Sequence, residues 1–349
     1  MRIFYQRNKE ARKIEQYIQG KIDEFIEKIK RNKLFNYIEV FGLTGPAARG
    51  QATIHGSDID FYTITKSINP LKEAKLRRIF EEIFHSNIVE TSLLTASPTI
   101  YKKPDLMFYE FIHSGGFLLG RPKISKNELN IEKIPRWEGV RLLTYRIDPF
   151  INTFRVAKRG IEIKTDKPDY YYSKVIQGIG EAFLLLEDEY KADNFERLKA
   201  IRKSKYAKQL GIIKEFEKAQ EYRYKGKPIG RNSRLLYNRA ISISRKALVL
   251  YLQEYLKVES IEEIKKELRK IHPSLVTLIS TRLFFIRDYY KTKKRVKLPL
   301  KIEPMIEELI WLIDLLQFLD KEKYGAKVEE LRRNIVLYWK IAPRFWYWK

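Results

Sequence analysis

TGPAARGQATIHGSDIDFY, residues 44–62, joins a glycine-rich turn to two aspartates with one residue between them. The run that follows the turn, IDFYTIT (59–65), is β-branched and aromatic and reads as a strand. Side chains alternate faces along a strand, so Asp58 and Asp60 are expected on one side and Ile59 and Phe61 in a core. Two carboxylates that close repel unless cations sit between them. Hard oxygen donors of this kind suit Mg²⁺ or Mn²⁺, held by one or two carboxylates together with substrate phosphates. Upstream, Gly42, Gly45 and Gly50 permit backbone conformations closed to other residues, successive N–H groups in such a turn can point together at an anion, and Arg49 adds a positive charge.

Working outward, residues 8–32 place Ile14, Ile18, Ile22, Phe25, Ile26 and Ile29 at helical spacing, and FNYIEVFGL (35–43) reads as a strand ending at glycine. Pro70 opens a helix through about His85 whose expected buried side is Leu71, Leu76, Ile79, Phe80 and Ile83. NIVETSLLT and PDLMFYEFI supply two more expected strands, the second opened by Asp105, with Glu110 a weaker acidic candidate nearer its far end. Residues 1–125 therefore alternate helix and strand, the pattern of a small α/β or α+β domain with a mixed sheet. After GRPKI (120–124) the periodicity is helical nearly to the end, so 126–349 is expected to be a separate all-α domain.

The chain of 349 residues has no cysteine, which excludes a disulfide framework and thiolate metal sites, and its four scattered histidines argue against zinc. No apolar run is long enough to span a bilayer and MRIFYQRNKEARK lacks a signal-peptide core, so a soluble, cytoplasmic protein without a membrane partner is expected. Abundant Lys, Glu and Ile beside few Met predicts a thermophilic source. A net charge of +25 attracts polyanions. The stretch from Arg223 to Lys246 holds no acidic residue, the segments at 201–208 and 289–297 are also cationic, and Tyr222, Tyr224 and Tyr237 are interleaved where they can stack on bases. A solvated helix face with core aromatics explains such a cluster equally well.

In its order of strand, glycine loop, Asp-x-Asp strand, helix and further acid, the chain resembles the polymerase β-like nucleotidyltransferase superfamily over about residues 36–112. Gly45 and Pro46 align with that family's Gly-Ser pair, Ala48, Arg49 and Gly50 with a frequent Ala-Arg-Gly continuation, and Ser57, Asp58, Ile59, Asp60 and Phe61 with the acidic strand, while Asp105 matches the third acid. The resemblance implies an α+β catalytic domain (1–125) with a basic helical domain behind it. It also implies transfer of a nucleoside monophosphate from an NTP, with Asp58, Asp60 and Asp105 holding two metal ions and Gly45, Pro46, Arg49 and Ser57 lining the nucleotide. Pro46 departs from the pattern, offering neither a hydroxyl nor an N–H, so Thr44, Arg49 or nearby amides would have to compensate. The acceptor can be RNA or another polyanion, a small hydroxylated molecule or a protein side chain. The competing reading is a non-catalytic nucleic-acid-binding protein on the same scaffold.

Overall fold

The computed structural model describes residues 2–53, 58–85, 90–157, 160–230, 232–270, 304–321 and 324–341. The protein is α+β, with two compact units: Met1–Glu138 with Asp188–Ala200, and Gly139–Glu187 with Ile201–Lys349.

The first unit is built on a four-stranded mixed sheet in the order β3-β2-β1-β4. Strands β1 (Ile38–Leu43) and β2 (Ile59–Thr65) are antiparallel, and β1 also pairs antiparallel with β4 (Gly116–Leu119). Between β2 and β3 (Thr91–Ala96) the pairing is parallel, which requires a crossover, and α3 (Pro70–Phe84) supplies it. Helix α1 (Lys9–Arg31) starts at Asn8, whose side chain accepts from the Ala11 N–H. Its stripe of Ile14, Ile18, Ile22, Phe25 and Ile29 is buried with Leu76, Ile79, Phe80 and Ile83 of α3 against Phe41, Ile59, Phe61 and Leu93 of the sheet. Phe41 and Phe61 stack across β1 and β2 with centroids 5.5 Å apart, and Phe80 meets Phe61 edge-on at 5.3 Å.

Leu71 departs from expectation: it is 85% exposed, because it sits in the first turn of α3, before the helix reaches the core. PDLMFYEFI is a second correction, forming helix α4 (Leu106–Ser114) rather than a strand. A short, uniformly apolar run carries no periodicity to separate the two states, and the deciding signals are its caps. Asp105 caps the start, and Gly115, at φ 71°, ends the helix in the left-handed region.

Gly42 owes its identity to close approach and not to a special dihedral. A Cβ there would stand 2.2 Å from the carbonyl oxygen of Gly116 on β4. Gly42→Ala is expected to prise β4 from β1 and to destabilise the first unit by roughly 1–3 kcal/mol, measured by chemical denaturation. An unchanged midpoint would mean that the strands can part without cost.

Among the described residues the second unit is helical apart from one antiparallel hairpin, β5 (Phe154–Ala157) with β6 (Gly160–Ile163), whose Phe154, Val156 and Ile161 are buried. Its helices include α5 (Trp137–Asn152), α6 (Pro168–Leu186), α9 (Ile213–Lys225), α10 (Ser233–Leu256), α11 (Ile261–Lys270), α12 (Pro304–Asp320) and α13 (Ala326–Ile341). Two shorter ones lie between α6 and α9: α7 (Asn194–Lys203), which begins in the first unit, and α8 (Lys205–Gln209). Buried along almost its whole length from Tyr172 to Leu186, α6 is the central helix of this unit and packs on α9 and α10. Among the described residues no helix is long and apolar enough to cross a membrane.

Candidate functional site

Strand alternation sets the site. Phe41, Leu43, Ile59, Phe61 and Leu93 belong to the core under α1 and α3, so Gly42, Thr44, Asp58, Asp60, Tyr62 and Ser92 face the opposite side. Tyr62 marks that side, its ring 4.8 Å from Phe111 of α4. At its open end a polar row crosses three strands. The Thr44 N–H donates to the Asp60 carbonyl at 2.9 Å, Asp60 pairs with Ser92, and the Ser92 hydroxyl donates to Asp60 Oδ1 at 2.5 Å. Asp58 and Asp60 are partly exposed while Ile59 and Phe61 are fully buried, which is the division expected from the sequence.

The turn ahead of the acids is a short helix, α2 (Gly45–Ala48), with Thr44 at its N-cap. Gly45 has φ 60° and Gly50 φ 66°, so both sit where a side chain is strained. A threonine at an N-cap normally accepts from the second or third helical N–H, but the second helical position here is Pro46, which has none. Thr44 Oγ1 is buried and, among the described residues, has no hydrogen-bond partner. Pro46 thus removes its own contribution to an anion site and leaves the neighbouring hydroxyl uncommitted.

Arg49 is not presented outward as a phosphate ligand. Its Nη1 lies 2.7 Å from Glu110 Oε2 and 2.7 Å from Ser114 Oγ, and the side chain is only 9% exposed. Glu110 is wholly buried and also takes Arg197 Nη2 at 2.6 Å and the Tyr190 hydroxyl. Gln51 extends this network to Asp193. Burial alone would raise the Glu110 carboxyl, but Arg197 and Arg49 outweigh it and hold the group below its ordinary range. The sequence offers no signal for this pairing, because Arg197 arrives from a segment 87 residues away.

Asp105 is not brought to the other acids as a strand residue. It is the N-cap of α4, its Oδ1 accepting from the Phe108 N–H at 2.7 Å. The far end of that helix, at Ser114, bonds Arg49, and nine residues at 1.5 Å each separate the two ends by about 13 Å. The carboxylate beside the Asp-x-Asp pair is Glu90. Its carbonyl accepts the Ile59 N–H at 2.9 Å, and the register Ile59 to Thr91, extended by one residue, sets Glu90 next to Asp58. It is exposed. The signal was present in NIVETSLLT: an acid opening the strand that returns after the helix from the Asp-x-Asp strand. Among the described residues no three His, Asp or Glu side chains gather as a metal cage. The donors present, two carboxylates and a buried hydroxyl, are the hard oxygens that suit Mg²⁺ when waters and phosphates complete its shell.

Ser57 lies outside the described residues, as do Arg231 and the cationic segment 289–297. Of the aromatic residues expected to stack on bases, Tyr237 is fully buried with its hydroxyl 2.7 Å from Thr153, and Tyr224 is also buried, so both serve the core; Tyr222 is partly exposed. Within the acid-free stretch, Arg239 pairs with Glu215 at 2.7 Å and Arg245 with Asp320 at 2.6 Å, which reduces the charge left for a polyanion. No family model, no curated protein and no solved structure matches this chain.

Proposed function

We propose that the protein is a metal-dependent nucleotidyltransferase, moving a nucleoside monophosphate from an NTP to an acceptor hydroxyl in the cytoplasm. The observation that supports this most is the Thr44, Asp60 and Ser92 row, with Asp58 and Glu90 beside it, directly after a turn held open by Gly45 and Gly50. In the reaction the acceptor hydroxyl gives up its proton to water as its oxygen forms a bond to the α-phosphorus, the bond from the α-phosphorus to the oxygen bridging to the β-phosphate breaks, and pyrophosphate leaves. Together with waters and phosphate oxygens, Asp58 and Asp60 would hold the divalent ion, which supplies neutralisation of the phosphate charge, and Glu90 beside them would add to the local negative charge. The Thr44 hydroxyl donates to a phosphate oxygen, and the Asp60 carboxylate is oriented by the Ser92 hydroxyl. The acceptor is RNA or another polyanion, drawn by the net charge of +25.

One observation favours the non-catalytic reading: Arg49, the cation expected at the phosphates, is committed to Glu110. The test is incubation of the full chain with each α-labelled NTP, Mg²⁺ or Mn²⁺, and total RNA or cell extract. Labelled product on RNA or a metabolite supports transfer, and no label with any of the four leaves the binding reading. A second expectation separates the acids. Asp105→Asn, a substitution that keeps the cap, should leave turnover near the parent value, and Asp105→Ala should cost about 1 kcal/mol of stability. Glu90→Gln should lower turnover at least 10-fold, in the range seen when one charge-stabilising group is lost. The reverse pattern in a steady-state assay would return the third-acid role to Asp105.

A further inference from the structure

We propose that the second unit carries a contact face for single-stranded nucleic acid on α5 and α6, made by residues the acid-free stretch does not include apart from Arg223. This deepens the acceptor class in the reading above, but binding can be tested without any transfer reaction. The outward stripe of α5 is Arg141, Tyr145 and Arg146, with Tyr145 42% exposed. On α6 the partly exposed residues are Pro168 and Asp169 in the first turn and Tyr170, Tyr171 and Lys174, the last three one turn apart on one side, while Tyr172, Ser173 and the helix beyond Lys174 are buried. The two stripes meet at Gly178. A Cβ there would stand 2.3 Å from Arg146 Cγ, so the Arg146 stem lies directly on α6 at the turn after Lys174. From α9, Arg223 Nη1 reaches the same turn and donates to Gln177 Oε1 at 3.0 Å.

Three cations from three helices thus surround one turn of α6. Two of them already engage aromatic rings: Arg146 lies 5.6 Å from the Tyr145 centroid and Lys174 4.6 Å from that of Tyr170, which in turn meets Tyr171 edge-on. Asp148 and Glu181 are buried, and Asp169 is partly exposed with its Oδ2 accepting the Ile229 N–H. Aromatic rings interleaved with cations match a strand whose bases stack while its phosphates meet Arg and Lys. A duplex keeps its bases stacked internally and cannot use the rings.

The experiment is fluorescence anisotropy of the full chain with a labelled single-stranded RNA of roughly a dozen nucleotides, without NTP or divalent ion, across a salt titration. The parent is expected to bind with a log–log salt slope near −2 if three phosphates are neutralised at roughly 0.7 each. The double variant Tyr145→Ala with Tyr170→Ala should bind about 10- to 100-fold more weakly with the slope unchanged. The corresponding Phe pair should bind like the parent. Lys174→Ala should reduce the slope by roughly 0.7. Asp60→Asn should bind like the parent whether or not it transfers a nucleotide, which separates this inference from the catalytic one. Parent-like binding by the Ala pair with an unchanged melting transition overturns the proposal. So does equal affinity for duplex of the same length, or absence of binding by the parent.

Discussion

Asp60→Asn is expected to abolish label transfer from NTP while the melting transition stays within error of the parent. The carboxylate is partly exposed and accepts a hydrogen bond from Ser92, so an amide of the same shape fits the strand without disturbing Ile59 or Phe61 beneath it. What the amide cannot do is carry the negative charge that would anchor a cation against the triphosphate. Losing such stabilisation costs on the order of several kcal/mol in the transition state, or 10³-fold and more in turnover. Single-turnover assays with the labelled NTP that gave best transfer would read this directly. Turnover within threefold of the parent would make Asp58 and Asp60 a solvated turn and end the catalytic reading.

Glu110→Gln is expected to have the largest effect on stability. The substitution removes the buried carboxylate that Arg49 and Arg197 share, and breaking a buried ion pair from one side costs roughly 3–5 kcal/mol. The pH dependence follows from the direction of the shift. The folded state holds the Glu110 carboxyl below its ordinary 4.5, against the burial that would raise it, so its contribution is fully present above that value. It is lost as pH falls through the lower folded value. Parent stability should therefore decline on the acid side with a component that Glu110→Gln lacks. Urea denaturation at a series of pH values between about 3 and 7 checks both points. A variant as stable as the parent at neutral pH would mean that the two guanidinium groups are neutralised elsewhere.

Much of the first unit was legible because its elements are amphipathic. The isoleucine stripe of α1, the alternation in IDFYTIT and the span of α3 each follow from one side chain in water and the next in the core. So did the division of Asp58 and Asp60 from Ile59 and Phe61. Three things were not legible. LMFYEFIHS is apolar on all sides, so neither period shows, and the element opened by Asp105 is a helix that this residue caps rather than a strand. The hairpin of β5 and β6 consists of two four-residue strands, too short to stand out from the helical texture around them. Tyr237 and Tyr224 looked like stacking residues because charged neighbours surround them in sequence, whereas helix geometry turns these two inward.

By itself the sequence determined the α+β class, the basic charge, and the Asp-x-Asp pair on one strand face, since these depend on composition and on local periodicity alone. Tertiary structure decided which acid stands beside that pair and what Arg49 does. Glu90 is adjacent because β3 runs parallel to β2 in a register that only the packed sheet defines. Arg49 turns to Glu110 because a carboxylate stripped of water in the interior requires charged partners, and Arg197, distant in the chain, supplies the second of them.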